Sequence, residues 1–238
     1  MDPMALFRTL LLLALAPLSA WGCASRRADE LALAGNLAGA LEAYALEDTY
    51  DAHLKMGMLH QTQGDHHEAI AEYSLAVPRN AEADYRVYQF RAESYLATGE
   101  LAKARADLEE ALRRSPRVAQ IHFLLGNVLY RQNELAPADA AYSRAIEEAG
   151  DQAELKARAL KNRALVHFRT EAFEAAAADY EAALQLARPP DREDRLHLGL
   201  LLYATGRESE ARDAWSGLSA ADRERLRSTL DENLGEGF

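Results

Sequence analysis

Small and bulky apolar positions along this chain fall into columns that keep one shared register. Small residues stand at Gly57, Ala92, Gly126, Ala164 and Gly199, separated by 35, 34, 38 and 35 positions. Alanines at 69, 104, 138, 176 and 211 repeat the same four intervals, as do Tyr73, Leu108, Tyr142, Tyr180 and Trp215. Ala76, Ala111, Ala145, Ala183 and Leu218 form a fourth column. A period of this length with several columns in step is the mark of a stacked repeat. Each repeat reads as two helices. The small residue lies mid-way along the first, where it admits a close neighbour; the alanine faces it from the second, and the bulky residue follows four positions later on the same face. Between them lie Gln63-Gly64-Asp65, Thr98-Gly99-Glu100, Gln132-Asn133-Glu134, Arg169-Thr170-Glu171 and Thr205-Gly206-Arg207, with Gly or Asn expected to supply the positive φ that ends the first helix.

The repeats are placed at 50–84, 85–118, 119–152, 157–190 and 192–218. The 38-residue step near Gly150-Asp151-Gln152-Ala153 predicts a longer loop or an extended helix. Gly39-Ala40-Leu41-Glu42-Ala43-Tyr44 echoes the second-helix signature, so residues 27–48 read as a shortened or degenerate unit within a 23–49 N-terminal segment. Ser219-Ala220-Ala221-Asp222 resembles a capping box, with Leu226, Leu230 and Leu234 after it at four-residue spacing. Residues 219–238 are therefore expected to form a capping helix and tail that cover the last exposed interface.

These columns resemble the tetratricopeptide repeat over about residues 50–218. The resemblance implies an all-α, right-handed superhelical solenoid of antiparallel helix pairs, with protein or peptide segments bound along the first helices. Groove positions of the family fall on Leu54, Met58, Gln89 and Glu93 in the first two repeats. In the last three they fall on Phe123, Asn127, Tyr130, Arg131, Arg158, Lys161, Asn162, Leu165, Phe168, Arg169, Leu196, Leu200 and Tyr203. Arg131, Arg158, Lys161 and Arg169 make a basic cluster among aromatics, suited to a partner carrying acidic groups; the plainer reading is solvated charge over core aromatics. The family's clamp for a terminal carboxylate is not expected. Asn127 and Asn162 match it, but Phe123, Glu193 and His197 stand where it needs other groups.

The first 22 residues carry Arg8, an apolar run from Leu10 to Ala16, and small residues before Cys23, the pattern of a secretory signal. Ser19-Ala20-Trp21-Gly22-Cys23 resembles a bacterial lipobox, which implies lipidation at Cys23 and an anchor in the envelope, with Ala24 and Ser25 matching outer-membrane sorting toward the periplasm. Cleavage after Ala20, giving a secreted periplasmic protein with a free thiol, and a retained anchor stay open. Seventeen residues between Arg8 and Arg26, interrupted by Pro17, are at the lower edge of a membrane span.

The net charge of −11 repels phosphate backbones and argues against nucleic acid. No nucleotide-binding, zinc-protease or nucleophile-elbow motif is present, and His66-His67-Glu68 points to different helix faces. Neither an enzyme, a cofactor, a metal nor a small-molecule substrate is expected. The reading is a non-enzymatic scaffold that assists assembly of a membrane or periplasmic complex, resembling pilotin-type lipoproteins of type IV pilus and secretin assembly. Two alternatives stand beside it: an adaptor recruiting peptidoglycan hydrolases, and a self-associating structural component.

Overall fold

The computed structural model describes residues 18–80, 84–186, 190–219 and 221–222, and among these every regular element is helical. The elements are α1 (Leu18–Leu33), α2 (Leu37–Tyr44), α3 (Tyr50–Gln63), α4 (His66–Ala76), a single 3-10 turn (Val77–Arg79), α5 (Arg86–Thr98), α6 (Leu101–Arg114), α7 (Ala119–Arg131), α8 (Leu135–Glu148), α9 (Ala153–Arg169), α10 (Phe173–Leu186), α11 (Arg192–Ala204) and α12 (Glu208–Trp215). They pair as hairpins in two compact units, residues 1–114 and 115–238. The first unit stacks α1/α2, α3/α4 and α5/α6; the second stacks α7/α8, α9/α10 and α11/α12. Each unit is a stack of antiparallel helix hairpins of the tetratricopeptide type.

The columns form the core. Ala69, Ala104, Ala138, Ala176 and Ala211 have no exposed surface, and Tyr73, Leu108, Tyr142 and Tyr180 are buried beside them. An alanine at the facing point lets two helices approach, and the bulky side chain then fills the gap toward the neighbouring pair. The turns end in the left-handed region at Gly64, Gly99, Asn133 and Gly206, as the sequence predicts. In the fourth turn, which has neither Gly nor Asn, Glu171 takes that conformation with φ 60°. The long step resolves as helix rather than loop: α9 has 17 residues where α5, α7 and α11 have 13, so 153–156 add a turn at its start.

One element of order was not expected. Arg91 on α5 grips Asp107 on α6 through two bonds of 2.7 Å and reaches Ser74 Oγ on α4 at 3.2 Å. Arg163 on α9 grips Asp179 on α10 at 2.7 and 2.6 Å and reaches Ser143 Oγ on α8 at 2.9 Å. The same three-helix clamp thus recurs two repeats apart, locking the first repeat to the second and the third to the fourth. For this clamp the period is two repeats.

At the N-terminal side α1 and α2 form a helix hairpin, with Ala28 and Ala40 fully buried and Tyr44 2% exposed. Ser25 is tied to Glu47 by its amide at 3.0 Å and its hydroxyl at 2.5 Å. Residues 1–17, most of the segment expected to be a signal, and the side chain of Cys23 lie outside the described residues; the backbone of Cys23 is part of α1. No helix among the described residues is long and apolar enough to cross a membrane. At the other end Ser219 and Asp222 make the reciprocal bonds of a capping box, at 2.7 Å side chain to side chain and 3.3 Å to each backbone amide. Leu226, Leu230 and Leu234 lie outside the described residues.

Candidate protein-binding face

In the second unit the first helices α7 and α9 lie side by side, and three rungs join them. At one end the guanidinium of Arg158 stacks 4.6 Å over the ring of Phe123. In the middle Asn162 Nδ2 donates to Asn127 Oδ1 at 2.8 Å, and Tyr142 O–H from α8 donates to the same oxygen at 2.9 Å. At the far end the guanidinium of Arg169 stacks 5.2 Å over Tyr130 and donates to Asn133 Oδ1 at 2.6 Å. Six of the thirteen groove residues expected in the last three repeats thus meet in pairs on one face.

The rungs divide the labour between buried and exposed groups. Phe123 is only 3% exposed and packs on Tyr142, so it is a platform under Arg158 rather than a surface a partner could reach. Arg158 and Arg169 are exposed. Cation–π attraction holds a guanidinium over a ring while its N–H groups stay able to donate, as Arg169 does to Asn133. Asn127 Oδ1 uses both lone pairs within the rung, which leaves the Asn127 amide N–H groups and Asn162 Oδ1 for a polar partner. Burial pushes the Tyr142 hydroxyl well above its ordinary range, so it stays neutral.

The other expected residues are placed differently. Lys161 turns toward α11, where it forms an ion pair with Asp194 and lies 5.7 Å over the Tyr180 ring. Tyr180 O–H donates to the same carboxylate at 3.1 Å and is 3.3 Å from His197 Nδ1. Burial alone would raise the Asp194 carboxyl, but the Lys161 and Tyr180 donors outweigh it and hold it below the usual value. Lys161 is therefore part of the joint between α9 and α11, not a free cation. An open depression of about 520 Å³ beside this joint is lined by Leu196, His197 and the charged start of α11. Phe168 is 42% exposed and meets Phe173 edge-on at 5.5 Å, with Leu165 38% exposed one turn back. Tyr203 stacks on Trp215 at 6.3 Å, and Arg131 is exposed at the end of α7.

Two family models, each described as tetratricopeptide repeat, match residues 50–81 and 91–154. The chain carries tetratricopeptide repeats. Such repeats are in general non-enzymatic scaffolds that bind protein or peptide partners. A tetratricopeptide repeat protein of Parabacteroides merdae superposes with a TM-score of 0.69 at 16% identity, over 90% of this chain and 86% of its own. MamA of Desulfovibrio magneticus gives 0.63 at 17% identity, over 76% and 97%. PilF of Pseudomonas aeruginosa gives 0.62 at 19% identity, over 79% and 93%. At these identities the likeness is one of fold. Among curated protein sequences none matches the chain.

Within the tetratricopeptide frame the first two repeats carry the counterpart of this face with different chemistry. Arg86 occupies the position of Arg158, but Asp84 holds it through contacts of 2.6–3.1 Å; the residue in the place of Asp84 is Lys156. Glu93 stands in the place of Leu165 and takes the amides of Gln61 and Gln89 at 3.0 and 3.1 Å. That wall is internally neutralised. Sequence reasoning missed Tyr142, Asn133 and the Ser–Arg–Asp clamps. The clamps had a signal: Arg91 and Arg163 immediately precede the small column, and Asp107 and Asp179 immediately precede the bulky one. Among the described residues no cluster of three metal-ligating side chains occurs.

Proposed function

We propose that this chain is a protein-binding adaptor of the bacterial envelope, whose working surface is the α7–α9 face of its second unit. The observation that carries the reading is the three-rung arrangement: two exposed arginines held over aromatic rings, with paired asparagine amides between them. Preset polar groups lose little rotamer freedom on binding, which is what makes a surface bind rather than merely carry charge. Leu165 and Phe168 supply exposed apolar area beside them. The lipobox-like segment ending at Cys23 supports lipid anchoring and a periplasmic orientation. In that setting the adaptor assists assembly of a membrane complex of the type IV pilus or secretin kind. PilF, among the structural neighbours, shares the fold and lends that reading its architecture only.

The test is capture of partners from crosslinked cells with the parent chain and with Asn127→Ala/Asn162→Ala. A partner recovered with the parent and lost with the variant supports the face; equal recovery sinks it. Labelling cells with a radioactive fatty acid tests the anchor separately, since Cys23→Ala should abolish incorporation.

A further inference from the structure

We propose that Asn133 is a positioning residue of the α7–α9 face: its carboxamide holds Arg169 in place without cancelling its charge, and so keeps that rung open for a carboxylate on the partner segment. The inference rests on the binding face proposed above and names the partner chemistry that one of its rungs takes.

The five turns between paired helices each put one residue in the left-handed region, and three of them use glycine: Gly64, Gly99 and Gly206, at φ 84°, 83° and 75°. Glycine is what the backbone alone would select, since it takes a positive φ without steric cost. Asn133 takes the same conformation at φ 63° and adds what glycine lacks, a side-chain oxygen that accepts from Arg169 Nη2 at 2.6 Å. The bond joins positions 36 residues apart, one repeat to the next, and the same guanidinium is held 5.2 Å over the Tyr130 ring. Both holds, a carboxamide and an aromatic ring, leave the charge uncancelled.

That is unlike the other arginine ties in this acidic chain. Arg91, Arg163, Arg207 and Arg79 join one element to another through a carboxylate, on Asp107, Asp179, Glu181 and Asp48. An ionised acceptor makes the stronger bond, so a tie selected for stability alone would take aspartate at 133. Aspartate also visits the left-handed region, so the turn does not forbid it. It has the shape of asparagine, but it would neutralise Arg169 as Asp84 neutralises Arg86 in the first unit. With Asn133 in place, no carboxylate among the described residues pairs with Arg169, which is exposed. An arginine already held in place loses little freedom on binding, and a carboxylate is the acceptor its fork takes most strongly.

The experiment uses the purified full-length chain with Asn133→Gly and Asn133→Asp. Both variants suit a positive φ, so thermal midpoints should stay level or, for glycine, rise. Phenylglyoxal, an arginine-selective dicarbonyl, reads the hold on Arg169: its rate of modification there, followed by mass spectrometry, should rise about three-fold in Asn133→Gly and not rise in Asn133→Asp. Fluorescein-labelled octaglutamate reads the charge. At low salt it should bind the parent about five-fold more tightly than either Asn133→Asp or Arg169→Gln. Arg113→Gln controls for net charge and should leave the affinity unchanged, since Arg113 is an exposed arginine of the first unit paired with Glu110. An unchanged Arg169 rate in Asn133→Gly, no binding of octaglutamate to the parent, or equal affinity of parent and Asn133→Asp overturns the proposal. The underlying face is judged apart from this: if Asn127→Ala/Asn162→Ala abolishes capture of the cellular partner while Asn133→Gly and Asn133→Asp do not weaken it, the face stands and the role of Asn133 falls.

Discussion

Gly126 decides where Tyr142 points. The tyrosine ring lies flat against the glycine, so close that a β-carbon there would come within 2.5 Å of Cε1. That approach brings the hydroxyl back onto Asn127 of the same first helix, into the middle rung. Gly57 and Tyr73 repeat the relation, with Tyr73 O–H reaching Gln61 on its own first helix at 2.7 Å. Where the small residue is Ala164, the hydroxyl of Tyr180 instead goes onward to Asp194 of the next first helix. One methyl group separates a tyrosine that builds its own repeat from one that joins it to the next.

Gly126→Ala should therefore destabilise the second unit, although alanine is the better helix former by about 1 kcal/mol. Tyr142 is 1% exposed and cannot yield, and overpacking of this kind costs about 1–3 kcal/mol. Thermal denaturation should show a lower midpoint, and Tyr142→Leu added to it should recover much of the loss, since the second repeat combines Ala92 with Leu108.

The clamps predict a larger effect. Asp179→Ala leaves Arg163 without its carboxylate in a site where the two side chains are 11% and 23% exposed. Breaking a pair this buried costs about 3 kcal/mol. A double-mutant cycle of Arg163→Met and Asp179→Ala in urea should return a strong coupling; additive losses would mean the pair stabilises nothing jointly.

Glu171 is a place to gain stability. An L-residue in the left-handed region costs about 1–2 kcal/mol, and four of the five equivalent turns avoid that by Gly or tolerate it with Asn. Glu171→Gly should raise the thermal midpoint by a few degrees without touching the α7–α9 face, checked by the same melting experiment.

Acid should loosen the joint between α9 and α11. Asp194 titrates below its ordinary value of 3.8 in the folded chain, so its ionised form contributes stability at pH above that value. The contribution falls away as pH drops from there through the lower folded value. Asp29, Asp48 and Asp84 are depressed too, so the diagnostic quantity is a difference. Urea denaturation between pH 6 and pH 3 should show the parent losing stability more steeply below pH ~4 than Asp194→Asn. Parallel curves would refute the role of the Lys161–Asp194 pair.

The hairpins were legible because their columns are made of residues with one job each. Ala69 and its counterparts can only face a neighbour, and Gly64, Gly99 and Gly206 can only turn. The rungs were half legible. Family positions placed Arg158, Asn162 and Arg169 on α9, but spacing along one helix does not say which way a long side chain leans. Lys161, three residues from Arg158, leans to Asp194 and leaves the face. Glu171 was opaque for the opposite reason, since nothing in a glutamate announces a left-handed backbone; only its place in the column of turns does. The two-repeat period lay in plain view at Arg91, Asp107, Arg163 and Asp179, yet it is invisible to a search for what all five repeats share.

Ser25, bonded twice to Glu47, is the first fixed point of the described side chains, and only Ala24 stands between it and Cys23. Two residues of chain reach about 7 Å at most. A fatty acyl group on Cys23 would thus have no leash. The first hairpin would ride directly against the lipid headgroups, and a partner would have to come to the membrane to be met.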